Sequence, residues 1–172
     1  ELMGNFLNSK AVTFFDTEVT SLDPARSALL EICIITDWND GNRDVFHTKI
    51  KPTLKELAVA DSEALKINGY NREDWEDAPA FEDVAIEIAK RLKWGPLVAQ
   101  FDVEHLTSIF ERHGWKKEFK ANPHNQEFYL GYPIIDTCSL AYLYSECEKQ
   151  NMTALRNHYG LAHEGAHGAL KD

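Results

Sequence analysis

The sequence lacks the features that mark membrane-spanning and secreted proteins. No apolar run in its 172 residues approaches the roughly 20 residues that a helix needs to cross a bilayer. The first residues also lack a basic start followed by an apolar block, so we expect no signal peptide and a cytoplasmic location. Residues 1–9 are expected to be flexible or a cloning remnant, which leaves residues 10–172 as one domain.

Cysteine is scarce, with only Cys33, Cys138 and Cys147 in the whole chain. No two of them form a Cys-x-x-Cys pair, and an odd number cannot be fully paired within the chain. These spacings favour incidental or buried thiols in a reducing compartment. They give little support to a disulfide framework, a zinc site or a cysteine nucleophile.

Positive charge is also in short supply, since 18 Lys and Arg residues face 28 Asp and Glu residues, for a formal net charge of −10. A protein that coats DNA by neutralising its phosphates needs a basic surface, so the sequence excludes that class. A metal-centred site is still compatible with this charge, because bound divalent cations would carry the positive charge that the side chains lack.

The hydrophobic pattern predicts an α/β domain. Apolar residues make up 44% and charged residues 27% of the chain, which excludes disorder throughout. Short apolar or alternating runs predict strands at residues 10–15, 29–38, 44–50, 97–101 and 133–136. Helical spacing predicts helices at residues 80–92, 102–113, 137–149 and 153–159, with a loop at 115–131. This order predicts a mixed sheet with helices packed on it.

Two acidic residues, Asp16 and Glu18, follow the first apolar run. They lie two positions apart, so a strand would place both carboxylates on the same face. Two such charges repel each other unless a cation lies between them, and Mg²⁺ is commonly bound by one or two carboxylates with substrate phosphates. The alternative is a polar strand end that runs into a solvated turn.

Two further segments carry acidic residues that the pattern alone leaves ambiguous. Asp102 follows a predicted strand and opens a predicted helix, a position typical of a helix N-cap. The chain ends in HGALKD, which contains His167 and Asp172. Without other information, these two residues are a solvated loop histidine and the acid of a fraying terminus.

The segment around the first two acids resembles the first motif of the DnaQ-like, or DEDD, exonuclease family. Residues 14–35 read FFDTEVTSLDPARSALLEICII and match an apolar strand, Asp-x-Glu, Thr, a small residue, Leu and a later Glu-Ile. Ser21 stands where the family usually has Gly. The resemblance covers nearly the whole chain from Ala11 onward.

The other two motifs follow in the family's order. Phe101-Asp102 resembles the second motif, although the His-Asn found there in many members is absent and Glu104 is the alternative ligand. His167, Ala169 and Asp172 match the last motif, His-x-Ala-x-x-Asp, of the DEDDh branch. A stretch that opens a later helix in the family is matched by IIDTCSLAYLY, whose acid, Asp136, is expected to be a helix cap or structural partner.

The resemblance implies a ribonuclease H-like fold, with a mixed five-stranded sheet flanked by helices, and a metal-dependent 3′→5′ exonuclease. Two divalent ions, Mg²⁺ or Mn²⁺, would be held by the four acids, and the catalytic set would add a general base, His167. The four expected metal ligands, which are also catalytic, are Asp16, Glu18, Asp102 and Asp172.

Three residues are expected to contact substrate: Thr17, Leu22 and Phe101. In similar enzymes a residue at the position of Leu22 wedges against the terminal base, and an ordinary core position is the alternative. Arg26 and Lys171 are candidate cations near the site, with plain surface solvation as the default. A helix is expected to continue past Asp172 in the natural protein.

The predicted reaction removes nucleoside 5′-monophosphates from the 3′ end of a nucleic acid, with single-stranded DNA favoured. An exoribonuclease that trims RNA is the first alternative, because the motifs do not show how a 2′-hydroxyl would be read. A nuclease-like binding module without catalysis is the second, and an unrelated α/β domain is the third. A polymerase or another replication or repair protein is an expected partner, no membrane is expected, and the oligomeric state is left open.

Overall fold

The sheet is built around one long strand, β1 (Ala11–Val19), whose odd-numbered residues are more deeply buried than its even-numbered residues. Strand β2 (Leu29–Trp38) pairs antiparallel with β1, and β3 (Arg43–Lys49) pairs antiparallel with β2. On the other side of β1 lie two short parallel strands, β4 (Leu97–Val98) and β7 (Ile134–Ile135). The order β3-β2-β1-β4-β7 confirms the predicted mixed five-stranded sheet.

The computed structural model describes residues 9–99, 101–120, 122–144, 147, 149, 151–161 and 169. The helices in these ranges are α1 (Leu54–Ala58), α2 (Ser62–Ile67), α3 (Phe81–Arg91), α4 (Asp102–Arg112), α5 (Thr137–Tyr144) and α6 (Met152–Tyr159). Four of them correspond to predicted helices, whereas α1 and α2 were not predicted. Within the same ranges, no helix has both the length and the apolar character that a membrane crossing requires.

Three features differ from the prediction by more than a residue or two at an end or by their type. Strand β1 continues to Val19 instead of ending at Phe15, because Asp16 and Glu18 lie on its less buried face and do not interrupt the alternation. Strand β4 ends at Val98, and by Phe101 the backbone is already helical. The predicted loop at 115–131 contains a small parallel sheet of β5 (Lys116–Lys117) and β6 (Glu127–Phe128).

One face of the β1–β2 pair forms the hydrophobic core, and we call it the core face. Here Phe15 of β1 lies opposite Ile34 of β2, and Thr17 lies opposite Ile32. Helices α3 and α4 cover this face with side chains that belong to the same buried cluster: Phe81, Ala85, Ile88, Leu106, Ile109 and Phe110. The helix layer therefore lies on the side of β1 away from Asp16 and Glu18.

The opposite face of the same strand pair, which we call the site face, carries Asp16 and Glu18. Their partners across β2 are Cys33 and Glu31 respectively. The register shifts between Glu18 and Val19, a β-bulge immediately beside the second acid. Bulges are common next to active sites because they redirect side chains and end regular pairing.

Candidate active site

The site face concentrates negative charge around Asp16. Burial, with additional contributions from the charges of Asp16 and Glu31, raises the pKa of the Cys33 thiol to about 11. Cys33 lies directly opposite Asp16 in the sheet, so the neighbouring carboxylates add to the effect of burial on this thiol. A cation bound between these carboxylates would reduce their mutual repulsion.

Glu31 extends this acidic surface across the sheet. It lies opposite Glu18, and like charges in directly opposed positions destabilise a strand pair. An imidazole from β3 gives this acid a hydrogen-bond partner, since His47 Nε2 lies 2.5 Å from Glu31 Oε1. The sequence motif included Glu31 but did not mark it as a site residue. The antiparallel register is the signal that would have found it.

Asp102 is joined to β1 through Thr17. The Thr17 backbone N–H and its hydroxyl both donate to Asp102 Oδ1, at 2.9 and 2.7 Å. This contact lies beyond the β1–β4 pairing, which ends where Phe14 meets Val98. The Thr17 N–H, which has no partner on β4, is bonded by the Asp102 carboxylate instead. This bond brings Asp102 to the part of β1 that carries Asp16 and Glu18.

The interpretation of Asp102 as a helix N-cap is wrong. Phe101 occupies the N-cap position of α4 and makes no side-chain cap, while Asp102 is the first helical residue. Burial raises the pKa of the Asp102 carboxyl, and the hydrogen bonds from Thr17 partly oppose that rise. The alternative ligand, Glu104, is exposed and lies along a different groove with Asp23 and Lys117.

A cavity of about 390 Å³ opens beside Glu18. The three residues predicted to contact substrate, Thr17, Leu22 and Phe101, all belong to its lining. Leu22 is 77% exposed, so its interpretation as a core residue is wrong. Phe101 is 43% exposed, and its ring centroid lies 4.0 Å from that of His105.

Helix α2 and the residues on either side of it form a wall of this cavity that was not predicted from the sequence. Their lining residues are Asp61, Ser62, Glu63, Ala64, Ile67 and Asn68. The spacing of Ala64, Ile67 and Asn68 is helical, but a segment of six residues carries too little periodicity to be recognised. None of the described residues that line the cavity is positively charged, so it suits an uncharged, partly apolar group better than a phosphate.

The remaining predicted residues divide into two groups. His167, Asp172 and the candidate cation Lys171 lie outside the described residues. Arg26 is described, but its guanidinium donates to the Val59 carbonyl and to Asp61, both at 2.6 Å. This arginine is therefore part of a structural network. Asp136 caps α5, since the Cys138 N–H donates to Asp136 Oδ1 at 2.9 Å.

The oxygen donors on β1 fit hard divalent cations. Asp16 and Glu18 offer carboxylates from one strand face, which is the kind of ligand that Mg²⁺ and Mn²⁺ prefer. No group of three or more His, Cys, Asp or Glu residues is assembled as a metal cluster within the ranges that the structure covers. Asp102 commits one oxygen to Thr17, and the fourth predicted acid is beyond those ranges.

Sequence comparison matches residues 13–172 to the RNase_T family model, whose description is Exonuclease. A relative, the DNA polymerase III subunit epsilon of Buchnera aphidicola subsp. Schizaphis graminum, is 28% identical over 178 residues. The match covers 96% of this chain and 70% of the relative.

Solved structures of exonuclease I have a similar fold. The structure described as suggesting how processivity is achieved has a TM-score of 0.71 at 15% identity, covering 95% of this chain and 38% of that one. Escherichia coli exonuclease I with a dT13 oligonucleotide has a TM-score of 0.71 at 17% identity, and the match covers 95% of this chain and 39% of that one. The zinc-bound form of that enzyme with single-stranded DNA has a TM-score of 0.69 at 17% identity, and the match covers 95% of this chain and 38% of that one. This chain thus spans about two fifths of the exonuclease I chains, and the likeness agrees with the predicted ribonuclease H-like fold.

Proposed function

The chain belongs to the RNase_T family as a DnaQ-like 3′→5′ exonuclease, and we propose that it hydrolyses single-stranded DNA with the help of two divalent metal ions. The observation that carries the proposal is the acidic pair Asp16 and Glu18 beside a cavity whose described lining residues include no basic one. The pair supplies ligands for cations, and the cavity supplies space for the uncharged part of a nucleotide.

The metal ions would be held by Asp16, Glu18 and Asp102, with Asp172 as the fourth ligand. Two bound divalent ions would stabilise the negative charge on the attacking and leaving oxygens of the phosphodiester. Among the protein groups, Thr17 fixes the orientation of Asp102 through its two hydrogen bonds. We assign the acceptance of a proton from the attacking water to His167, because an imidazole titrates near neutral pH.

The cavity is proposed to hold the base and sugar of the 3′-terminal nucleotide. The side chains of Leu22, Phe101 and Ile67 offer apolar and aromatic surface on which any base can rest, so little base preference is expected. The carboxylates of Glu18, Asp61 and Glu63 would repel a phosphate from the cavity itself. The scissile phosphate is therefore expected near the cations at Asp16 and Glu18, at the mouth of the cavity.

DNA is the proposed substrate because the sequence relative is a DNA polymerase III subunit and the exonuclease I structures include a dT13 complex. The same relative makes a polymerase or another replication or repair protein the proposed partner, and the cytoplasm the proposed compartment. The products would be nucleoside 5′-monophosphates, released one at a time.

The test is digestion of single-stranded DNA, duplex DNA and RNA of one sequence, labelled at either end. With Mg²⁺ or Mn²⁺, a 3′ label should leave at once as a mononucleotide, whereas a 5′ label should pass through a ladder of shortening products. Excess EDTA should stop both. Faster cleavage of RNA than of DNA would instead favour the exoribonuclease, and binding without any cleavage would favour the non-catalytic module.

A further inference from the structure

Asp61 occupies a position where its side chain is expected to cap a helix, yet it does not do so. It is the N-cap residue of α2, with an extended backbone at φ −81° and ψ 122°. Aspartate is among the residues most favoured there, because its carboxylate accepts hydrogen bonds from the first turn of the helix. In this chain the Asp61 side chain makes no such bond. A local preference that is given up in this way points to another role for the carboxylate.

The Asp61 carboxylate instead binds the turn that carries Leu22. Its Oδ2 accepts a hydrogen bond from the Ser21 hydroxyl at 2.7 Å, and its Oδ1 accepts one from Arg26 Nη2 at 2.6 Å. The backbone of Leu22 makes a small further contribution to the lowered pKa of this carboxyl, after those of Ser21 and Arg26. In addition, the Asp61 backbone N–H donates to the Thr20 carbonyl at 2.8 Å. Asp61 thus binds the segment of residues 20–26 near both of its ends.

We propose that Asp61 is a positioning residue that fixes the turn of residues 20–26, which we call the Leu22 turn, so that Leu22 meets the terminal nucleotide in the cavity. The inference rests on the proposed function, and it deepens that function by assigning the grip on substrate to a residue outside the acidic pair. Asp61 itself lines the cavity, and it directly precedes α2, whose Ile67 lines the same cavity as Leu22.

The exposure of Leu22 explains why such a residue is needed. A buried leucine is held by its neighbours, but Leu22 is 77% exposed and has little packing to define its position. Its location is therefore set by the backbone of the turn. The turn contributes some order of its own, since the Asp23 N–H donates to Ser21 Oγ and the Ala25 N–H donates to Asp23 Oδ1. Asp61 connects this local order to the wall of the cavity at α2 through its bonds with Thr20, Ser21 and Arg26.

Ser21 supports the pairing with Asp61. It is fully buried and stands where the family that this sequence resembles usually has Gly. A buried hydroxyl without a partner is costly, so Ser21 requires an acceptor, and Asp61 provides it. Removing the Asp61 carboxylate would leave this hydroxyl without its acceptor and would leave Arg26 with the Val59 carbonyl and Asp23, so the Leu22 turn would be held less firmly.

The test compares Asp61→Ala with Leu22→Ala and with the double variant, using single-stranded DNA and saturating Mg²⁺. Each single change should raise KM about tenfold while kcat changes less than about twofold, because it removes binding that is equal in the ground and transition states. The double variant should resemble either single variant, since both act through one contact. Asp61→Asn, which keeps an acceptor for Ser21 but loses the charge opposite Arg26, should give a smaller rise in KM.

Asp37→Ala is the matched control, because Asp37 also pairs with an exposed arginine, Arg43, at the far end of the β2–β3 hairpin. Its kinetics should equal those of the wild type. A lowered kcat at unchanged KM in Asp61→Ala, or effects of Asp61→Ala and Leu22→Ala that multiply, would overturn the positioning role. Should Asp61→Ala fail to fold, Asp61→Asn decides the question, and a KM equal to that of the wild type would then refute it. If the wild-type protein releases no nucleotides, the proposed function fails first, independently of Asp61.

Discussion

The core face and the site face of the β1–β2 pair are made by alternate residues of the same two strands. On the core face, Phe15 and Thr17 lie opposite Ile34 and Ile32 and are buried under helices. On the site face, Asp16 lies opposite Cys33, and Glu18 lies opposite another acid. One strand therefore contributes to stability and to chemistry at adjacent positions, which makes the two roles separable by single substitutions.

The largest expected effect is on the site face. Asp16→Ala should lower kcat by about a thousandfold or more, because a lost metal ligand removes several kcal/mol of transition-state stabilisation. Its midpoint of urea unfolding without metal should stay close to that of the wild type, because Asp16 is not part of the hydrophobic core. The measurement pairs single-turnover digestion with urea titration in EDTA. A folded Asp16→Ala variant with near wild-type turnover would refute the metal assignment.

The second effect is on the core face, in the neighbouring strand β2, where Ile34 follows the partner of Asp16. Ile34→Ala should lower the free energy of unfolding by about 2–5 kcal/mol, because Ile34 is fully buried and its removal leaves a cavity. The fraction that remains folded should digest DNA with an unchanged kcat. Urea titration and active-site counting by metal-dependent burst kinetics separate the two quantities. A loss of kcat in the folded fraction would show that the faces are not independent.

The third effect concerns the pairs that His113, at the end of α4, makes with Glu56 of α1 and Glu82 of α3. His113 lies 2.8 Å from Glu82 and 3.5 Å from Glu56. The bond with Glu56 raises the pKa of His113, despite burial. Burial alone would raise the pKa of Glu56, but its bonds with His113 and Thr53 lower it to about 2.

These shifts predict that the pair of His113 and Glu56 contributes most to stability in mildly acidic solution. The Glu56 contribution is present above its ordinary pKa of 4.5 and is lost as the pH falls toward 2. The His113 contribution is present below its ordinary pKa of 6.5 and is lost as the pH rises through its higher folded value. Between about pH 5.5 and pH 9 the wild type should therefore lose about 1 kcal/mol that His113→Gln does not lose. Equal pH dependence of the two proteins in urea titrations would contradict this pairing.

The smallest effect is a change in thiol reactivity on the site face. With a pKa of about 11, Cys33 should be alkylated very slowly in EDTA at neutral pH, because the thiolate is the reactive form. Asp16→Asn removes one of the charges that raise this pKa, so alkylation of Cys33 should become modestly faster. Peptide mass spectrometry after timed exposure to iodoacetamide measures both rates. An unchanged rate would mean that burial alone controls this thiol.

The sequence predicted those helices and strands whose hydrophobic pattern is complete within one continuous segment. The ten-residue run of β2 was predicted with its observed bounds, since β-branched and apolar residues fill it from Leu29 to Trp38. The helical spacing of α4 was equally clear, and its predicted end was only one residue too late. The acidic pair of β1 was recognised because the period of two relates Asp16 to Glu18 without any tertiary information.

The missing parts of the site depend on contacts between distant residues. Thr17 and Asp102 are 85 positions apart, so no local pattern could reveal that Asp102 binds β1 in preference to capping its helix. The exposure of Leu22 likewise follows from how the turn is held. Asp61 was missed for a further reason, because its local sequence suggests a helix cap and its side chain is used elsewhere.

The bulge between Glu18 and Val19 has a consequence for changes in chain length. Because side chains alternate along a strand, inserting one residue between Ala11 and Phe15 would exchange the two faces, burying carboxylates and exposing aromatic rings. The existing bulge already accommodates the one extra residue of β2, Leu30, whose carbonyl accepts hydrogen bonds from Ile50 and Trp75. Natural length variation should therefore avoid β1 and accumulate at the β2–β3 turn around Gly41, where insertions leave the alternation of every strand intact.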